Sequence, residues 1–213
     1  MLNKIRTHLF SIVGLFSAIG SAHAQENIEQ PRYDVLKQSD GVELRSYAPY
    51  LAAEVTVKAG SSGEASSKGF MQLAGYIFGG NQRADNIAMT APVTTEARSG
   101  STTIAMTAPV TTSEKDDGVY TVQFSMPSKW TMDTLPIPDN DKIELTQIKA
   151  EKRVAYRFTG QRSQARIEEA AAKIGDFMEM EKLEVASSII VAGYDGPSVP
   201  TEKKRWEVMR IVK

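Results

Sequence analysis

The chain has no cysteine in 213 residues, and its two histidines, His8 and His23, both lie within the first 24. Without thiols there is no disulfide framework, no cysteine nucleophile and no iron–sulfur or thiolate zinc site. If the first 24 residues are removed, the remainder has no imidazole either. Ser-His-Asp triads and histidine-ligated metal centres are then excluded as well. Charge of either sign is also not in excess: 25 Lys and Arg face 26 Asp and Glu. The even balance offers no basic footprint for a polyanion, so nucleic acid is not an expected partner. Aromatic residues make up only 8% of the chain, and beyond the N-terminus no apolar run approaches the length of a membrane span.

What is present begins with Lys4 and Arg6, an apolar stretch from Leu9 to Ile19, and Ala22-His23-Ala24. A basic start, a short apolar run and an A-x-A site have the form of a secretory signal. The expected mature chain therefore starts at Gln25 in the periplasm or outside the cell, with no stable membrane anchor. Loss of Lys4 and Arg6 leaves 23 basic against 26 acidic side chains, a net charge of −3. Residues 25–32 are polar around Pro31 and read as a short mobile arm, with one domain, 33–213, behind it.

Alternation of apolar and polar side chains predicts a hairpin over Tyr33–Tyr47 about the turn Ser39-Asp40-Gly41, then a strand over 50–57. Spacing changes to helical over 64–78, and Gly79-Gly80-Asn81 stops that helix. Ile87-Ala-Met-Thr-Ala-Pro-Val-Thr-Thr95 recurs letter for letter at Ile104–Thr112, a period of 17. So short a period suits two paired strands better than a solenoid, with Pro92 and Pro109 at an edge or bulge. Met89 and Met106 within the twin motif are expected in the core. Strands follow at Val119–Met126, Ile143–Ile148 and Arg153–Phe158, then a helix from Ser163 to Glu181 and a strand near 188–191. Strand, glycine and helix at 50–78 are thus echoed at 153–181, which points to two related β-α-β halves around one core.

The second helix has one apolar stripe, Ile167, Ala170, Ala171, Ile174, Phe177 and Met178. The first has two: Phe70, Leu73, Tyr76 and Ile77 form one arc, and Met71, Ala74, Phe78 and Ser67 a second beside it. One arc suits the sheet, and the other is available to a ligand.

Tyr33–Tyr47, Gly69–Asn81, the doubled Ile-Ala-Met-Thr-Ala-Pro-Val, Met126-Pro-Ser-Lys-Trp130 and Gly193-Tyr-Asp-Gly-Pro197 together resemble the SOUL haem-binding protein family, over nearly all of residues 33–213. The resemblance implies an α+β fold, a distorted antiparallel β-barrel of roughly eight or nine strands with two helices. It also implies haem or another tetrapyrrole as cofactor and small-molecule partner, in a shallow apolar cleft between the first helix and the loop before the final strand. By position, the platform falls on Phe70, Met71, Ala74 and Phe78. The facing loop brings Tyr194, Pro197 and Val199, with Lys203, Lys204 and Arg205 placed for propionates. The chain departs from the pattern in two ways. The mature chain has no histidine for iron, leaving methionine, tyrosine, lysine or water, and Gly75 stands where relatives can carry a basic side chain.

The expected function is therefore binding without catalysis, as carrier, buffer or sensor. No catalytic residue and no metal-ligating residue is assigned. Two alternatives compete: a generic small-molecule effector-binding domain, which the expected fold also resembles, and a hydrolase working through a carboxylate such as Glu54 or Glu144.

Overall fold

The computed structural model describes residues 28–83 and 100–213. The leader at 1–24 and the first copy of the repeat, 87–95, lie outside the described residues.

The chain opens with the hairpin β1 (Tyr33–Ser39) and β2 (Val42–Tyr47), followed by β3 (Tyr50–Lys58). Asp40 and Gly41 have φ of 49° and 79° in the hairpin turn, the twist that two-residue hairpin loops favour. Helix α1 (Ser62–Ile77) starts where Ser61 Oγ accepts from Glu64 N at 3.3 Å while Glu64 Oε2 accepts from Gly60 N at 2.9 Å. Reciprocal capping of this kind fixes the first turn of a helix. Next come β4 (Asn81–Gln82), β5 (Val110–Asp116), β6 (Val119–Ser125), β7 (Ile137–Pro138), β8 (Ile143–Ile148) and β9 (Glu151–Thr159). Helix α2 (Gln164–Glu181), capped by Ser163, then leads to β10 (Ile190–Gly193) and β11 (Arg205–Val212).

Nine of these strands form one antiparallel sheet in the order β1-β2-β9-β11-β10-β5-β6-β3-β8, and β4 pairs separately with β7. With β1 set aside, the order is symmetric about the β10–β5 junction. A helix follows β3 in one half and β9 in the other, and each helix leads on to the two strands beside that junction. The duplication predicted from sequence is thus visible in the topology.

One register row crosses eight strands: Val42, Tyr156, Val208, Val191, Thr112, Val122, Val55 and Ile143. Both helices cover this face. Leu73, Tyr76 and Ile77 of α1 pack with Val55, Val122 and Phe124, while Ile167, Ile174 and Phe177 of α2 pack with Val42, Val154 and Val208. The neighbouring row, Arg157, Glu207, Ala192, Thr111, Gln123, Glu54 and Glu144, faces the other way. That second face is polar, and the sheet curls around it: Arg153 Nη2 of β9 donates to Tyr50 Oη of β3 at 2.7 Å across four intervening strands.

Three expectations are corrected. In the second copy of the repeat, Val110–Ser113 is flanked by β10 on one side and β6 on the other, so this part has no free edge for a twin strand, and residues 104–109 form no regular strand. Ile104 is fully buried, but Met106 is 45% exposed and fills no core gap. Nor is the described part of the N-terminal arm free. Glu29 bridges Thr107, its carbonyl accepts from Ala108 N at 3.0 Å, and its carboxylate accepts from Ser128 N at 2.8 Å.

Helix α1 approaches the sheet closely at Gly69, where an added Cβ would lie 2.4 Å from Val122 Cβ. Gly69→Ala is therefore expected to force helix and sheet apart and cost about 1–3 kcal/mol, in the range of core overpacking. A urea midpoint unchanged from wild type would refute this.

Candidate functional site

On α1, the buried arc leaves its opposite side to solvent. Met71 and Phe78 are 70% and 60% exposed, and at Gly75 between them an added Cβ would meet nothing within 4 Å. Phe70 and Ala74 lie on the inner flank of this strip. The Phe70 ring is half-buried with its centroid 5.5 Å from that of Phe124, and Ala74 is buried. Exposed apolar side chains in a row along a helix whose other face is already packed form a surface patch suited to a ligand.

The residues expected in the facing loop divide into two groups. Pro197 and Lys203 are exposed, Val199 and Lys204 half-buried. Tyr194 and Arg205 are already engaged. Tyr194 turns into the polar face, where its hydroxyl donates to Glu207 Oε2 at 2.6 Å. Arg205 grips Asp195, with Nη2 to Oδ1 at 2.7 Å and its backbone N to Oδ2 at 2.6 Å. That clasp closes the loop at its base, so Arg205 acts as a structural cation and Tyr194 as a partner of Glu207.

Glu207 is the centre of the polar face. Its side chain is fully buried and accepts from Arg45 Nη1 and Nη2, both at 2.9 Å, from Arg157 Nε at 2.9 Å, and from Tyr194. Burial works to raise its pKa, but the hydrogen bonds and charge of Arg45, the Tyr194 hydroxyl and Arg157 outweigh it and hold the carboxyl below its usual range. Burial pushes the Tyr194 hydroxyl up, and the neighbouring Glu207 charge pushes it the same way. Arg153 is held similarly, by Glu151 and Tyr50. The Glu207 charge is thus already balanced by Arg45 and Arg157.

Glu54 and Glu144, the carboxylates with a possible acid–base role, sit opposite each other in register on β3 and β8. Glu54 Oε2 accepts from Gln123 Nε2 at 3.2 Å, and neither residue lines any cavity described here. Among the described residues no group of three or more His, Cys, Asp or Glu could hold a metal ion, and no helix is long and apolar enough to cross a membrane.

A separate groove of about 730 Å³ opens at one end of the curled sheet, between the N-terminal segment and the Met126–Trp130 motif. Pro49, Leu51, Met126, Trp130 and Met132 line it, with Arg32, Gln147 and Ser128 among its polar groups. Sequence reasoning used Met126-Pro-Ser-Lys-Trp130 only as a marker and gave no hint of this groove. The motif residues come together with Pro49 and Gln147 only through the tertiary fold.

An α+β protein with a nine-stranded curled sheet, a closed polar face and an exposed apolar helix strip is thus defined. The SOUL heme-binding protein family model matches residues 28–102 and 96–211, and the chain belongs to that family. Heme-binding protein 2 of Mus musculus is 27% identical over 187 residues, covering 84% of this chain and 85% of that protein. Among solved structures, a hydrolase from Listeria innocua aligns with a TM-score of 0.56 at 14% identity, covering 84% of this chain and 94% of its own. The C-terminal domain of EcmrR aligns with a TM-score of 0.57 at 10% identity, covering 85% and 98%. At such identities these structures share the fold alone.

Glu207 makes a direct prediction. Its folded pKa lies below its unfolded value, so its contribution is complete above the unfolded carboxylate range and is lost as pH falls through the folded pKa. Glu207→Gln leaves Arg45 and Arg157 facing a neutral group and is expected to cost about 3–5 kcal/mol at neutral pH. Its stability should also fall less steeply than wild type below about pH 4. Parallel pH–stability curves for the two proteins would overturn the assignment.

Proposed function

We propose that this protein is an exported binding protein for haem or a related tetrapyrrole, held without a histidine ligand on the outer side of α1, and that it binds without catalysing a reaction. Membership of the SOUL family supports the ligand class. The observation that carries the site is the strip Met71–Gly75–Phe78, two large apolar side chains exposed about a flat glycine. A porphyrin is a broad apolar disc with carboxylates at one edge. Phe70, Met71, Ala74 and Phe78 would hold the disc, and Lys203 and Lys204 of the loop are the expected rim cations, with Pro197 and Val199 beside them. Met71 brings a thioether to the same surface, a weak ligand for iron.

The fold by itself is equally consistent with a general effector-binding domain. The closed polar face weighs against cationic effectors there, since Arg45 and Arg157 already neutralise Glu207. A carboxylate hydrolase has less support, because Glu54 and Glu144 lie away from the described cavities.

Haemin titration followed in the Soret region is expected to saturate at about one ligand per chain. Met71→Lys with Phe78→Lys removes two apolar contacts and is expected to weaken binding roughly tenfold or more. Met132→Glu, in the 730 Å³ groove, should leave binding unchanged. The reverse pattern moves the site to the groove, and nonstoichiometric adsorption by wild type removes the function.

Export rests on the leader-like sequence at 1–24 and has its own test. Protein recovered from its native cells should begin at Gln25 and fractionate with the periplasm or medium; a cytoplasmic chain that retains Met1 refutes export.

A further inference from the structure

The two helices cover opposite halves of the sheet and flank a second register row on the helix side, Phe158, Trp206, Gly193, Val110 and Phe124; its ends are buried and its middle three residues half-buried, and the space above those three is the cleft between the helices. Gly193 is required here. A Cβ would lie 2.8 Å from Cζ3 of Trp206, whose ring occupies the space a side chain would take. Phe70 contributes the α1 wall of the cleft through its contact with Phe124.

Arg162, in the short link between β9 and α2, crosses one end of this cleft. Its Nη2 donates to Ser62 Oγ at 2.6 Å, and its Cζ lies 5.7 Å from the Trp206 ring centroid. Its Nη1 rests against Gly63, where an added Cβ would be only 2.7 Å away. The Nε is buried and has no acceptor. Among the described residues no carboxylate pairs with this guanidinium, and burial alone perturbs it, lowering its pKa. The arginines of the polar face are treated differently: Arg45 and Arg157 bind Glu207, Arg153 binds Glu151, and Arg205 binds Asp195. An arginine does not escape desolvation by losing its proton, so a part-buried guanidinium without a counterion is a standing electrostatic cost. The first turns of α1 and α2, capped by Ser61 and Ser163, begin beside it and add partial positive charge of their own.

We propose that Arg162 is the receptor for a carboxylate of the bound ligand, with Ser62 as its positioning partner. The inference rests on the tetrapyrrole reading above and deepens it: the carboxylate is a propionate, and the disc extends from Arg162 along α1 past Phe70 and Ala74 to the exposed Met71 and Phe78. At 1.5 Å per residue, Phe70 lies about 10 Å along the axis from Gly63, a span that a porphyrin bridges from propionate to ring. Arg162 thereby takes the role that Arg205, clasped by Asp195, does not fill.

The test compares ligands with free and blocked carboxylates. Wild type, Arg162→Gln and Arg162→Lys are titrated with protoporphyrin IX and with its dimethyl ester, after circular dichroism has established that each is folded. Arg162→Gln is expected to weaken binding of the free acid roughly tenfold, the weight of a charge-assisted bidentate contact, and to leave the ester unchanged. Arg162→Lys, which keeps the charge but loses the fork, should fall between. Should Arg162→Gln fail to fold, the Arg162→Lys pair of titrations decides. Equal affinities for the free acid across folded variants, or an equal loss for acid and ester, overturn the carboxylate receptor while leaving the tetrapyrrole reading intact. Failure of wild type to bind either porphyrin overturns both.

Discussion

The fully buried carboxylate of Glu207 is the constraint around which the molecule is arranged. It sits on β11 and receives hydrogen bonds from Arg45 on β2, Arg157 on β9 and Tyr194 at the end of β10. A charge taken that far from water is tolerated only when its hydrogen bonds are met and its sign is balanced. The network therefore fixes the relative positions of the strands that carry it. It also fixes the curl: with arginines and tyrosines converging on the inside of the sheet, the polar face fills itself. Tyr50 and Arg153 complete the same interior from strands on opposite sides of the sheet's centre.

A filled interior decides where a ligand can go. The concave side of the sheet is occupied by paired charges and aromatic rings. Arg45 lies 4.4 Å from the Tyr33 ring centroid and Arg153 4.6 Å from that of Tyr47. What remains open is the helix side, where each helix covers its own half of the sheet and strand β10 runs between them, and the groove at the end of the sheet. Because α1 buries one arc and exposes another, it offers an apolar surface at no cost to the core.

Much of this was legible in the sequence, for physical reasons. Strict alternation in Val119–Ser125 and the heptad-like stripe of α2 reflect one-sided burial, which any element on a two-sided sheet must show. The halves could be seen as a duplication because strand, glycine and helix recur in order. The site was legible only in part. Met71 and Phe78 stood out because they fell outside the core arc. Tyr194 and Arg205 were read as ligand contacts because nothing local reveals that Glu207 and Asp195 hold them; those partners are fixed by strand register and loop closure. The twin motif misled for a similar reason. Identical letters suggested identical pairing, yet both sides of Val110–Ser113 are taken by strands distant in sequence. Arg162 gave no signal, since a lone arginine before a capping serine is ordinary until the fold carries it to Ser62.

The arginines therefore divide by whether the protein supplies their counterion. Those on the polar face are matched by Glu207, Glu151 and Asp195 and hold the sheet and the loop in place. Among the described residues Arg162 is matched by a hydroxyl and a tryptophan ring and by no carboxylate, in a cleft walled by Phe70 and floored by Gly193. The polar-face arginines Arg45, Arg153 and Arg157 each have a carboxylate, whereas Arg162, beside an apolar cleft, has none among the described residues. Such a charge has value when its partner arrives with the ligand. In a chain that has no histidine beyond residue 23, a tetrapyrrole bound as proposed would be held without an imidazole, chiefly through apolar area under the ring and a fixed cation at its acidic edge. Both are found along one flank of α1.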